Sequence, residues 1–216
     1  MIKFCVFDLD GTLVNSIGDI ATAMNRSLLK MGHKIYTTEE YCKMVGDGMY
    51  MLCKRALPDA SEADVKKLVS IYKEDYINHC CEKTVAYDGM LELVKELNDE
   101  GILCAILSNK PHEQVMEIAK KLFSKELFSN IVGHSEKFLP KPDPASLINL
   151  IGTAGFEKSE TAYVGDSDVD IKLGRRADVF TVGVAWGLRG EEELLREGAE
   201  KIAYNAKQLK DILLKR

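Results

Sequence analysis

In the latter two-thirds of the chain, short apolar runs alternate with stretches whose apolar residues recur at helical spacing. Residues 103–107, 130–132, 161–164 and 179–184 read as buried strands: compact runs dominated by aliphatic and aromatic side chains and bounded by polar or turn-forming positions. Between them, Leu91, Leu93, Val94 and Leu97 mark one helix face, Val115, Ile118, Ala119 and Leu122 a second, and Ala145, Leu147, Ile148 and Ile151 a third. Parallel strands need helical crossovers, so this order predicts an α/β fold: a Rossmann-like, mostly parallel sheet with helices on both faces. Residues 2–7 supply its first strand.

Residues 15–83 break the alternation. Helical periodicity runs through 20–31, 38–45, 49–57 and 63–80, and no convincing strand intervenes. The expected organisation is a catalytic core of residues 1–14 and 84–216, interrupted by an all-helical cap of residues 15–83. The stretch 15–18 and the turn Tyr87-Asp88-Gly89 are the expected hinges. An insert directly after the first strand sits over the carboxyl ends of the strands, where open α/β sheets bind their ligands.

Composition narrows the partners. The 216 residues are 46% apolar, enough for a substantial core. The net charge of −5, with Lys and Glu intermixed, disfavours nucleic acid or an anionic membrane, which need concentrated positive charge. The apolar run at 4–7 is cut off by Asp8 and Asp10, and no apolar stretch approaches the roughly 20 residues of a spanning helix, so a cytoplasmic protein is expected. There the six cysteines remain free thiols: no CxxC pair occurs, and Cys5 and Cys104 lie inside apolar runs.

Four motifs fall after predicted strands or in loops on one sheet edge. Asp8-Leu9-Asp10-Gly11-Thr12 places two carboxylates beside an apolar core, a costly arrangement without compensating positive charge. Ser108-Asn109-Lys110 and Lys141-Pro142-Asp143-Pro144 supply donors and positive charge. Gly165-Asp166-Ser167-Asp168-Val169-Asp170 returns three more carboxylates to that edge, and oxygen-only ligands favour Mg²⁺ over zinc.

In that order, and over essentially the whole length, these motifs resemble the haloacid dehalogenase-like hydrolases. The resemblance implies Asp8 as nucleophile, already ionised near neutral pH, and a transient phosphoryl group on its carboxylate. It implies Asp10 as general acid and base, Ser108 and Asn109 as phosphate-binding groups, and Lys141 as the stabiliser of charge on Asp8 and the transferring group. Mg²⁺ is expected on the Asp8 and Asp166 side chains and the Asp10 carbonyl, with Asp170 assisting through water. Gly11 allows the tight turn that Thr12 helps to orient.

The segment Val45-Gly46-Asp47-Gly48, followed by Lys54-Arg55-Ala56-Leu57, looks like the small helical caps of phosphoglycolate phosphatases. Gly46, Lys54 and Arg55 are therefore candidate substrate contacts, with either cation suited to a carboxylate-bearing substrate. The partner is a small phosphorylated metabolite and the protein a monomer or homodimer. Pyrophosphatase, nucleotidase and β-phosphoglucomutase chemistry remain alternatives, although residues 46–51 lack the Ser-Arg pair expected of the mutase. A non-catalytic regulatory protein on the same fold is another.

Other readings fail on residues. A calcium loop opened by Asp166 would need Gly at Ile171 and Glu at Ala177. No Gly-Lys dipeptide occurs, so a nucleotide-kinase phosphate loop is absent. His33, His79, His112 and His134 are scattered; Ser16, Thr161 and Ser167 suit caps or loop hydrogen bonds; Asp168 and Asp178 suit solvent; and Trp186 suits the rim of the core.

Overall fold

The computed structural model describes residues 1–216, the side chain of Lys125 excepted. Strand β1 (Phe4–Phe7) leads into a two-residue strand, β2 (Val14–Asn15), and then four helices: α1 (Ile17–Lys30), α2 (Thr38–Cys42), α3 (Met49–Ala56) and α4 (Glu62–His79). β3 (Val85–Ala86) and α5 (Met90–Asp99) precede β4 (Leu103–Pro111), α6 (His112–Leu122) and β5 (Asn130–His134). The chain then runs through α7 (Ala145–Ala154), β6 (Thr161–Gly165), α8 (Asp168–Ala177) and β7 (Phe180–Val184). It closes with α9 (Glu191–Arg196), β8 (Lys201–Ala203) and α10 (Ala206–Leu214).

The main sheet has the order β5-β4-β1-β6-β7-β8, and every neighbouring pair is parallel. β1 sits in its interior and all four of its residues are buried, because a parallel strand covered by helices on both faces needs apolar side chains on both. Cys5 and Phe7 point into the larger core, with Leu93, Val94 and Leu97 of α5 and Val115 and Ile118 of α6. Phe4 and Val6 point the other way, against Leu147, Leu150 and Ile151 of α7 and Leu173 and Ala177 of α8. The result is a helix-sheet-helix sandwich, with Cys5 and Cys104 as register partners on β1 and β4. All six cysteines are free.

The helices between β2 and β3 form a body of their own. α1 turns Ile20, Met24 and Leu28 inward against α4, which contributes Val65, Leu68, Tyr72 and Tyr76. Two of these helices have capped starts: Thr37 and Glu40 form a capping box on α2, and Ser61 accepts from the Asp64 amide at α4. Arg26 of α1 clasps the buried carboxylate of Asp75 on α4 with three hydrogen bonds of 2.6–3.1 Å.

Leaving and returning segments pair side by side. β2 and β3 form an antiparallel ribbon, Val14 opposite Ala86 and Asn15 opposite Val85. Two-residue strands carry too little periodicity to be read from sequence, and they occupy the junctions where only flexible hinges were expected. β8 is likewise unforeseen, a three-residue edge strand with one fully buried side chain.

Asp19 locks this junction. Its buried carboxylate accepts hydrogen bonds from the amides of Lys83 and Thr84 and from the Thr84 hydroxyl, at 2.6–3.0 Å. Asp19→Ala strands those donors and is expected to destabilise the fold by about 2–3 kcal/mol, with Asp19→Asn losing less. Urea unfolding of the two variants beside wild type measures the difference.

Candidate active site

The four sequence motifs meet at the carboxyl edge of the sheet. Asp8 follows β1 directly, its amide donating to Val164 of β6 at 2.9 Å. The chain then turns through Gly11, whose φ of +84° suits glycine. A Cβ there would stand 2.2 Å from Asp166 Oδ2, so the missing side chain also lets the first and last motifs approach. Gly187 does the same from the other flank: its Cβ would stand 2.2 Å from that of Asp166. This allows the Leu188 amide to reach Asp166 Oδ2 at 2.7 Å, and Thr12 Oγ1 lies 3.4 Å from Oδ1.

Asp8, Asp166 and Asp170 are buried, with ligand oxygens within 4.8 Å of one another. One ammonium stands among them. Lys141 Nζ is 2.9 Å from Asp8 Oδ1 and 2.7 Å from Asp170 Oδ1, and donates to the Tyr163 hydroxyl at 3.0 Å. Asn109 aims this lysine through its backbone, accepting from the Lys141 amide at 2.7 Å and donating to its carbonyl at 3.1 Å. Asp170 Oδ2 takes hydrogen bonds from the Asp166 amide, the Ser167 amide and the Ser167 hydroxyl. Both its oxygens are thus occupied from within the protein, so Asp170 fixes Lys141 and the 165–167 loop.

The electrostatics follow from burial. Desolvation pushes the Asp8 carboxyl up to about 7, with Lys141 opposing it and Asp170 and Asp10 adding to it. Asp166 is driven well above the ordinary carboxylate range by burial, then by Asp170 and Asp8. Burial alone would lower Lys141, yet Asp170 and Asp8 outweigh it and the ammonium is held charged. A single lysine leaves the cluster short of positive charge, and among the described residues the Lys141 ammonium is the one group that meets the Asp8 carboxylate. Carboxylates alone, with this deficit of positive charge, fit a hard divalent cation held by Asp8 and Asp166.

Asp10 stands apart from that cluster. It accepts from Ser16 Oγ at 2.5 Å and from Lys110 Nζ at 3.0 and 3.1 Å. Ser16 therefore orients Asp10 and makes no side-chain cap on α1. Lys110 is buried, with Nζ 4.5 Å from the centroid of the Tyr76 ring. The sequence marked this lysine only as positive charge in its motif. Its partner is a hundred positions away, and no local pattern announces the pairing.

Asp8, Asp10, Ser108, Asn109 and Asp166 line a cavity of about 600 Å³, counting its open mouth. The helical insert supplies the opposite wall with Ile20, Gly46, Met49, Leu52 and Tyr72. Two tethers hold it there: Asn109 Nδ2 donates to the Gly46 carbonyl at 3.0 Å, and Arg189 donates to the Lys43 and Val45 carbonyls at 3.2 and 2.8 Å. Backbone carbonyls leave no sequence signature, so Arg189 went unforeseen. Lys54 and Arg55, expected as substrate contacts, lie outside the wall of this cavity: Lys54 is exposed, while Arg55 turns back to the Met44 carbonyl and the Asp47 carboxylate.

The profile of the haloacid dehalogenase-like hydrolases matches residues 5–184. The chain belongs to that family. Among curated proteins, a phosphoglycolate phosphatase from Pseudomonas fluorescens is 32% identical over 96% of this chain and 78% of its own length. One from Psychrobacter arcticus is 29% identical over 99% and 96%. Among solved structures, a candidate phosphoglycolate phosphatase from Lactobacillus delbrueckii subsp. bulgaricus superposes with a TM-score of 0.93, at 27% identity and 98% coverage of both chains.

A raised carboxyl makes the folded state bind protons that the unfolded chain has released, so stability is lost as pH climbs from 3.8, the ordinary value, to about 7. In chelator, Asp8→Asn is therefore expected to gain stability over wild type, by an increment that grows across that window and levels off above it. Paired thermal denaturation at stepped pH reads the increment, and a constant difference would contradict the electrostatics.

Proposed function

We propose that this chain is a magnesium-dependent phosphatase that cleaves a small phosphorylated carboxylic acid of the 2-phosphoglycolate type through a phosphoryl group carried on Asp8. The observation that carries this reading is the buried Asp8, Asp166 and Asp170 cluster, with Asp8 and Asp166 bordering a cavity that Asp10 also lines. Family membership and relatives that carry the name phosphoglycolate phosphatase support it.

Asp8 is the nucleophile. Its carboxylate bonds to phosphorus as the bond from phosphorus to the ester oxygen breaks, and Asp10 gives its proton to the departing alkoxide. In the second stage Asp10 takes a proton from water, which attacks the phosphorus, breaks its bond to Asp8 and frees phosphate. The Ser108 hydroxyl and the Asn109 backbone amide are the donors for the phosphoryl oxygens, and Lys141 offsets the charge on Asp8 in both stages. When bound, Mg²⁺ supplies the positive charge that lets an anionic nucleophile approach an anionic phosphate, with Asp8 and Asp166 as its side-chain ligands.

The helices from α1 to α4 act as the cap. Its seat on Asn109 and Arg189 excludes bulk water, and the β2-β3 ribbon is the pivot about which it reopens for exchange.

Hydrolysis of 2-phosphoglycolate and of p-nitrophenyl phosphate is expected with Mg²⁺, to vanish with chelator and to return when Mg²⁺ is restored. Asp8→Asn is expected to fall to background. Asp10→Asn should lose about 10²- to 10⁴-fold in kcat on 2-phosphoglycolate, and less on p-nitrophenyl phosphate, whose leaving group needs little protonation. Released phosphate is the readout, and Mg²⁺-independent turnover or an active Asp8→Asn would refute the mechanism.

A further inference from the structure

The cavity wall contains a buried polar group that no protein atom satisfies. Gln114, in the first turn of α6, is 2% exposed, and its amide nitrogen has no hydrogen-bond partner. Stranding an amide in this way is costly, and proteins rarely keep one unless something beyond the chain completes it.

Its neighbours along the chain favour negative charge. Lys110 borders the same cavity and is paired only to Asp10 among the described acidic groups. Pro111, which also borders it, precedes α6 without a side-chain cap, so the positive end of an 11-residue helix opens on the cavity. Across the cavity, Ile20, Met49 and Leu52 of the insert are apolar.

We propose that Gln114 is a specificity-determining residue: its amide donates a hydrogen bond to the carboxylate that the substrate carries beyond its phosphate ester. The terminal torsion of a glutamine is soft enough to turn the amide to an incoming oxygen. Lys110 and the start of α6 supply the positive potential that draws the carboxylate to this wall. The assignment rests on the phosphatase reading above and adds to it the group that separates a phosphorylated acid from a neutral ester of equal size.

The test compares 2-phosphoglycolate with ethyl phosphate, in which a methyl group replaces the carboxylate, using the full chain with Mg²⁺. Wild type is expected to prefer 2-phosphoglycolate. Gln114→Leu should lower the ratio of kcat/KM for 2-phosphoglycolate over ethyl phosphate by about 10- to 100-fold, carried by KM, and Gln114→Glu should lower it further through repulsion. Ethyl phosphate turnover reports folding in both variants. A ratio within about threefold of wild type in both variants, or equal use of the two esters by wild type, would overturn the role of Gln114 and leave the phosphatase reading intact. If wild type hydrolyses neither ester, the phosphatase reading fails and the assignment falls with it.

Discussion

Lys141, Asp8 and Asp170 are packed together with little solvent exposure, and no one of them would be tolerated there alone. A lone ion in such surroundings costs several kcal/mol even after the protein relaxes, on the order of the whole folding stability of a small domain. Lys141 meets this by facing two carboxylates and the Tyr163 hydroxyl, and Asp170 by accepting from three loop donors as well. Asp8 receives only the approach of Lys141, and Asp166 a backbone amide and a long contact from Thr12. Internal compensation is nearly complete around Asp170 and incomplete around Asp8 and Asp166. That asymmetry separates the three carboxylates: Asp170 is held from within the protein, while Asp8 and Asp166 keep less of their charge compensated by it.

The sheet order makes the convergence possible. β1 lies between β4 and β6, so the carboxyl ends of the three strands lie side by side and bring Asp8, Ser108 and Asp166 to one edge. Lys141 arrives from the loop after β5 and is held in register by Asn109. The glycines at 11 and 187 then remove the side chains that would keep these loops apart. Apolar packing on both faces of β1 and the polar cluster at its end are thus one construction, because a shift in strand register would separate the carboxylates from their lysine.

How much was legible in sequence follows the range of each signal. The strands and helices of the core repeat over enough residues to show their period, and the four motifs are local, each a short run of neighbouring residues, although the Ser108-Asn109-Lys110 motif lies within β4, which runs on to Pro111. The β2-β3 ribbon and β8 are too short to have a period. Lys110 meets Asp10 across a separation that no local pattern spans, and Arg189 holds backbone carbonyls, to which any donor could bond. For Lys54 and Arg55 the sequence shows that cations are present on a helix but not which side they face, and Arg55 is ion-paired to Asp47 within the insert.

The insert is attached to the rest of the chain by two different kinds of contact. At the junction, the carboxylate of Asp19 and the paired ribbon hold the two connecting segments together with buried, charge-assisted bonds. Over the cavity, the insert rests on three donor contacts to backbone carbonyls from Asn109 and Arg189, and Arg189 is partly exposed, so water can replace its bonds at little net cost. Asn109 bonds both the Gly46 carbonyl of the insert and the Lys141 backbone, so the seat of the insert over the cavity and the placement of the buried ammonium beside Asp8 depend on one side chain.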